Sequence, residues 1–170
     1  LALTPTDCPL CDGRAAGGGL CIGCRDDITY TMRAGAYRCT RCAQRAAPGA
    51  RACASCAEMC PAFIQTIAAF DYEPPFDSLI GRYKAEHRFG LSTTLAQLLA
   101  DAIAREGGVQ RMAPSANPCQ AGQLEGGRTP VLKAGTILIP IPSSNASLRR
   151  RGFNPAGELA ASLGGCLQIP

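Results

Sequence analysis

Tryptophan is missing from this 170-residue chain, histidine occurs once, and Phe and Tyr together number nine. A surface that stacks bases on aromatic rings interleaved with basic residues has little material to draw on here. Only two of the seventeen basic residues are Lys, a bias that reads as codon composition rather than as a device. Apolar runs stop far short of the roughly 20 residues that span a bilayer, so no membrane insertion is expected. No basic and apolar leader of the secretory kind is visible, which points to the cytoplasm. The chain opens on Leu1 rather than Met, which leaves room for an upstream piece. The net charge of +4 is spread mildly: seven basic residues against five acidic over 1–60, five against six over 61–112, and five against two over 113–170. That balance permits phosphate or nucleic-acid partners without demanding them.

Against this sparse background stand eleven cysteines, eight of them in four CxxC pairs: Cys8/Cys11, Cys21/Cys24, Cys39/Cys42 and Cys53/Cys56. Two thiols with two residues between them can turn onto one metal ion, and two such pairs complete a tetrahedral sulfur shell that suits zinc. Four pairs make two shells, so about two zinc ions per chain are expected. An internal repeat assigns the pairs. CPLCDGRAAGGGLCIGC (8–24) and CTRCAQRAAPGARACASC (39–56) share CxxC-xx-R-A-A-x-G before a second CxxC. The gaps inside the units are nine and ten residues and the gap between them is fourteen. Each unit is therefore expected to be a compact ribbon with its own ion, in sequence rather than interleaved.

Other cysteine chemistries fit less well. A disulfide framework suits a secreted chain, and a redox CxxC usually occurs once beside a βαβ pattern. CASCAEMCP (53–61) echoes the tail of an iron–sulfur run, but Ala50 stands where its first cysteine belongs. Cys60 is then a spare thiol, and Cys119 and Cys166 are small apolar residues. A metal-nucleated module folds where a core of this size could not, so a structural role is the default for the ribbons.

Beyond Pro61 the pattern changes. IQTIAAFDY (64–72) reads as a strand and Pro74-Pro75 as a break. Phe76, Leu79, Ile80 and Tyr83 then recur at helical spacing, up to Gly90. Ser92 can cap a second helix, with Leu95, Leu98, Leu99, Ala102 and Ile103 as its apolar stripe. Residues 107–135, rich in Gly, Pro and small polar types, predict a long surface loop. Thr136 to Ile141 is apolar at nearly every position, the pattern of a parallel strand covered on both faces. A last helix and a short closing CLQI complete an α/β order.

Between that strand and the last helix lies PSSNASLRRRGFN (142–154). Asn154 is a good helix cap, Pro155 suits the first helical position, and Leu159 and Leu163 form an i, i+4 apolar pair. A loop from the carboxyl end of a buried strand into a helix amino terminus is where open α/β sheets bind ligands. Ser143, Ser144, Arg149, Arg150, Arg151 and Gly152 are therefore the candidate phosphate site, since each guanidinium offers oxyanions a planar fork of donors. A solvated basic loop is the plainer alternative. Lys84 and His87 invite a catalytic reading, although a lone His on a helix is more commonly a surface residue.

Tandem CxxC pairs, a strand–Pro–Pro–helix passage, and Pro140-Ile141-Pro142 with Leu148-Arg149-Arg150-Arg151-Gly152-Phe153-Asn154 together resemble the ComF family, which includes the GntX-like proteins. The resemblance covers nearly the whole chain, and the 140–154 motif is its most specific part. It implies a double zinc ribbon over 1–60 and a type I phosphoribosyltransferase-like domain with a mainly parallel sheet over 61–170. It also implies phosphoribosyl pyrophosphate (PRPP) as a ligand and an association with bacterial DNA uptake in natural competence. On that resemblance 140–151 is the pyrophosphate-side loop, and Arg149 and Arg151 match the family arginines. Some positions depart from the family pattern. Ser143-Ser144-Asn145 stands where Leu-His-Pro is common, Ser147 where another arginine is, and Pro155 where glutamine is. The acidic pair and Thr/Gly-rich loop that grip the ribose phosphate have no match, because Asp26-Asp27 lies between the ribbons and the chain stops at Pro170. The expectation is a fragment or truncated product, a glycosyl-transferring enzyme only if the missing half is supplied. Two non-catalytic alternatives stand beside it: an accessory module whose ribbons and basic loop hold single-stranded DNA, with Tyr30 and Tyr37 as the nearest aromatics, or a scaffold for a competence helicase.

Overall fold

A computed structural model describes residues 5–33, 37–50, 52–105 and 136–169. Their elements are strands β1 (Pro5–Asp7) and β2 (Arg14–Ala16), then helices α1 (Ile22–Arg33), α2 (Ala54–Met59), α3 (Asp77–Ala85), α4 (Leu91–Arg105), α5 (Asn145–Arg151) and α6 (Pro155–Leu167). The chain is helix-rich, and the sheet found among the described residues is an antiparallel pair, with Pro5 opposite Ala16, Thr6 opposite Ala15 and Asp7 opposite Arg14. No described helix is long and apolar enough to cross a membrane.

Residues group into two compact units. The described parts of 1–32, 69–101 and 135–170 make the first, and those of 33–68 and 102–134 the second. The core of the first unit joins Cys8, Leu20, Cys24 and Ile28 to Phe76, Leu79, Tyr83, Leu91, Leu95, Leu98 and Phe153. The first cysteine unit therefore shares its apolar interior with α3, α4 and the segment ahead of α6. Tyr83, Ile28, Leu79 and Cys8 are among the largest fully buried side chains.

The helices follow local signals. Leu79 and Tyr83, one turn apart, are the buried face of α3, as their spacing predicts. α4 buries Leu91, Leu95, Leu98 and Ala102. It begins at Leu91, ahead of the expected cap, so Ser92 lies inside the first turn, buried, and accepts a hydrogen bond from the Ser162 hydroxyl at 3.1 Å. α6 starts as its sequence predicts, with Asn154 Oδ1 accepting from the Ala156 N–H and Pro155 at the first position.

Two expected strands are not formed among the described residues. Residues 64–72 run without strand pairing; Ile64 and Tyr72 stay exposed while Phe70 packs edge-on against Phe76 at 6.3 Å. Residues 137–144 likewise form no strand among the described residues, with Ile137, Ile139 and Ile141 exposed at 73%, 85% and 80%. An extended segment becomes a strand only when a neighbour takes up its row of N–H and C=O groups. Leu138 alternates to the other side and lies against α6, its Cδ1 being 3.7 Å from where a Cβ on Gly164 would sit. At the carboxyl end Cys166 and Leu167 belong to α6, and a left-handed Gln168 folds the Ile169 N–H back onto the Gly164 carbonyl. The mainly parallel sheet expected from the α/β pattern is thus not among the described residues. The loop expected over 107–135 lies outside them.

Candidate metal centres and the basic segment

The sequence repeat is a repeat of geometry. In the first unit the Cys8 N–H donates to the Gly13 carbonyl at 2.6 Å and the Asp12 N–H to the Cys8 carbonyl at 2.9 Å. In the second, 31 positions on, the Cys39 N–H donates to Gln44 at 2.8 Å and the Ala43 N–H to Cys39 at 2.9 Å. Each knuckle turns through a left-handed residue, Asp12 at φ 57° and Ala43 at φ 60°. Antiparallel pairing closes each base, Asp7 with Arg14 and Arg38 with Arg45. The second half of each unit opens a helix: Cys21 just precedes α1 and Cys53 just precedes α2, so Cys24 and Cys56 follow one turn later on the same face.

All eight predicted cysteines meet in two groups of four, Cys8, Cys11, Cys21, Cys24 and Cys39, Cys42, Cys53, Cys56, with sulfurs within 4.8 Å of one another. The pairing is sequential, not interleaved. The Cys11–Cys21 and Cys42–Cys53 sulfurs are 3.7 Å and 3.6 Å apart. A tetrahedral zinc with Zn–S near 2.3 Å needs an edge of about 3.8 Å, so the donor sets fit that ion. Thiol energetics agree. Burial pushes Cys8 and Cys39 up, but backbone N–H groups, led by those of Cys21 and Cys42 respectively, outweigh it and bring each thiol down to about 6. Cys56 is pushed up to about 12 by desolvation and then by its three neighbouring thiols, and Cys24 is raised for the same reasons. Four thiolates this close repel one another, and a divalent cation at the centre removes that conflict.

Of the remaining cysteines, Cys60 is disulfide-bonded rather than a spare thiol, and Cys166 is an exposed free thiol on α6 rather than an apolar filler. Cys119 lies outside the described residues. The acidic pair Asp26-Asp27 sits exposed on α1.

The expected basic loop is a short helix. Ser144 caps α5 by accepting from the Ser147 N–H at 3.2 Å, and Gly152 ends it at φ 75° with its N–H on the Leu148 carbonyl. Arg149, Arg150 and Arg151 occupy the last turn, where positive charge suits the carbonyl end of the helix. No ion pair or hydrogen bond from the described residues engages these three guanidiniums. The two serines already have partners: Ser144 is the cap, and the Ser143 hydroxyl donates to Asn154 Oδ1 at 2.9 Å, tying the start of α5 to the start of α6.

α3 connects this segment to the first cysteine knuckle. Arg82 donates to the Pro9 carbonyl at 2.7 Å and pairs with Asp12 at 3.7 Å. The next residue, Tyr83, donates to the Pro155 carbonyl at 2.9 Å. Lys84 is exposed on α3, and His87 lies past its end in the turn to α4, held at φ 54°. Neither contact partner of α3 was legible beforehand, since both bonds end on backbone carbonyls more than 70 residues away.

The site and its scaffold define a protein with two four-cysteine groups that could each hold a zinc ion, the first built into a helical body that also carries a basic segment. Its sequence is similar to Competence protein F of Haemophilus influenzae (strain ATCC 51907 / DSM 11121 / KW20 / Rd), 28% identical over 155 residues. The match takes in 91% of this chain and 57% of that protein, so the chain spans little more than half of its relative's length. No family profile and no solved structure matches the chain.

Proposed function

We propose that this chain is a ComF-like, competence-associated protein whose residues 61–170 are part of a type I phosphoribosyltransferase-like domain, with Arg149–Arg151 binding PRPP or a related phosphate. The observation that carries the reading is three consecutive guanidiniums without partners among the described residues at the end of α5, one turn ahead of the capped amino terminus of α6. Guanidinium forks beside the positive end of a helix suit a polyphosphate. Similarity to Competence protein F supports the link to DNA uptake. The two ribbons hold zinc structurally, on the strength of their sulfur spacing.

Residues 137–164 supply only the pyrophosphate side of such a ligand. Phosphoribosyl transfer needs both ends of PRPP held in one pose, and positioning contributes much of the rate. Residues 1–170 alone are therefore expected to bind phosphates and to transfer no phosphoribosyl group.

Replacing Arg149 and Arg151 together with Ala tests the reading. Arg149 is exposed, Arg151 is half-buried, and neither has an ion pair or hydrogen bond among the described residues, so the fold should change little, while pyrophosphate affinity by calorimetry falls at least tenfold. A double variant that binds pyrophosphate as the parent does removes the phosphate reading.

A further inference from the structure

Phe153, two residues after Arg151, is the hub of an aromatic cluster. Tyr83 meets it edge-on at 5.8 Å, His87 at 5.9 Å and Phe89 at 4.8 Å with an interplanar angle of 71°. Phe153 and Tyr83 are buried, but Phe89 remains 50% exposed and His87 is exposed beside it, the two rings 6.4 Å apart. Both outer rings come from the turn between α3 and α4. That turn holds His87 in a left-handed conformation that costs a non-glycine residue energy. Its own charges cancel, because Arg88 pairs with Glu86 at 3.1 Å. Arg149, Arg150 and Arg151, in the turn of α5 that leads to Phe153, have no ion pair among the described residues.

A single exposed ring needs no explanation. Here two open rings rest on Phe153, two residues after three guanidiniums that have no partner among the described residues. Phosphate oxygens suit the guanidiniums, and the flat face of a base suits an exposed aromatic ring. We propose that Phe89 and His87 form a stacking face for a nucleobase, so that the ligand of the Arg149–Arg151 segment is a base-bearing phosphate. This deepens the phosphate reading and rests on it. Two sources carry that chemistry, a free nucleotide and a single strand of nucleic acid.

The test uses the zinc-loaded chain with four probes: thymidine triphosphate against inorganic triphosphate, and a twelve-residue thymidine oligonucleotide against an abasic strand of equal length. In at least one pair the base-bearing probe should bind about tenfold tighter, and the pair that shows it identifies the source. Phe89→Ala should remove that preference and leave inorganic pyrophosphate binding unchanged, and Phe89→Tyr should restore it. Since the chain has no tryptophan, Phe89→Trp introduces a sole reporter whose fluorescence should be quenched by the base-bearing probe and by neither inorganic phosphate nor the abasic strand. It also serves if Phe89→Ala fails to fold. Equal binding within both pairs without quenching overturns the proposal, as does a preference that survives in Phe89→Ala. Loss of pyrophosphate binding in the Arg149/Arg151 double variant, with no base preference in the parent, refutes the stacking face alone and leaves the phosphate reading standing.

Discussion

Gly152 and Ala43 adopt the same left-handed backbone, at φ 75° and φ 60°, but only one of them is a glycine. A Cβ on Gly152 would meet nothing within 4 Å. Gly152→Ala should therefore cost about 1–2 kcal/mol through the backbone alone, and Gly152→Asn should recover part of it. Ala43→Gly should do the reverse and tighten the second knuckle by about 1 kcal/mol, read as stronger zinc retention against a chelator. An unchanged release curve would show that this turn carries no such cost. Tyr83 offers a pH test. Burial, and then the charge of Glu158, push its hydroxyl up from 10.0 to about 12. In the unfolded chain it ionises near 10, so the stability it contributes is complete below that pH and is lost as pH rises towards 12. Across that window Tyr83→Phe should lose less stability with rising pH than the parent does, read from unfolding midpoints.

α5 has seven residues, too few to persist as a free helix. Its end caps and the Ser143–Asn154 bond hold it in place. Asn154 has two tasks, since its Oδ1 accepts from both the Ala156 N–H and the Ser143 hydroxyl. Asn154→Ala should cost about 1–2 kcal/mol and weaken pyrophosphate binding without removing a ligand group, whereas Asn154→Asp keeps the acceptor and the stability. Thermal unfolding and calorimetry of the pair check this, and equal stabilities would show that the cap contributes little. The start of α6 was legible because Asn-Pro before an apolar pair is a local signal. α5 was not, because Ser144 and Gly152 bracket a run of arginines that reads equally well as a solvated loop.

In the whole molecule the first metal site is part of a core. Cys8 and Cys24 are packed with Leu79, Tyr83 and Phe153, and Arg82 and Tyr83 run hydrogen bonds from the knuckle to Pro155. Cys24→Ser should therefore release one of about two zinc ions and raise hydrogen exchange in α3 and around 152–158. The second shell should stay loaded, because its ligands all come from 39–56. Loss of both ions together would mean that the shells share ligands, and unchanged exchange at 152–158 would mean that the bonds through α3 transmit nothing.

What could be read along the chain was whatever depends on near neighbours: four CxxC pairs, their repeat, the sequential shells, the buried faces of α3 and α4, and the cap of α6. Thiol spacing, helical period and capping act over a few residues, so the residues themselves carry the information. Placement over longer separations was decided only in the folded molecule. Nothing local says that Cys8 and Cys24 are packed with Tyr83 and Phe153, or that Phe89 comes to rest on the ring two residues after the arginines. Residues 64–72 and 136–141 have the composition of strands, yet a strand exists only when another stretch of backbone pairs with it. Burial and pairing are properties of partners, and partners far apart along the chain are chosen by packing.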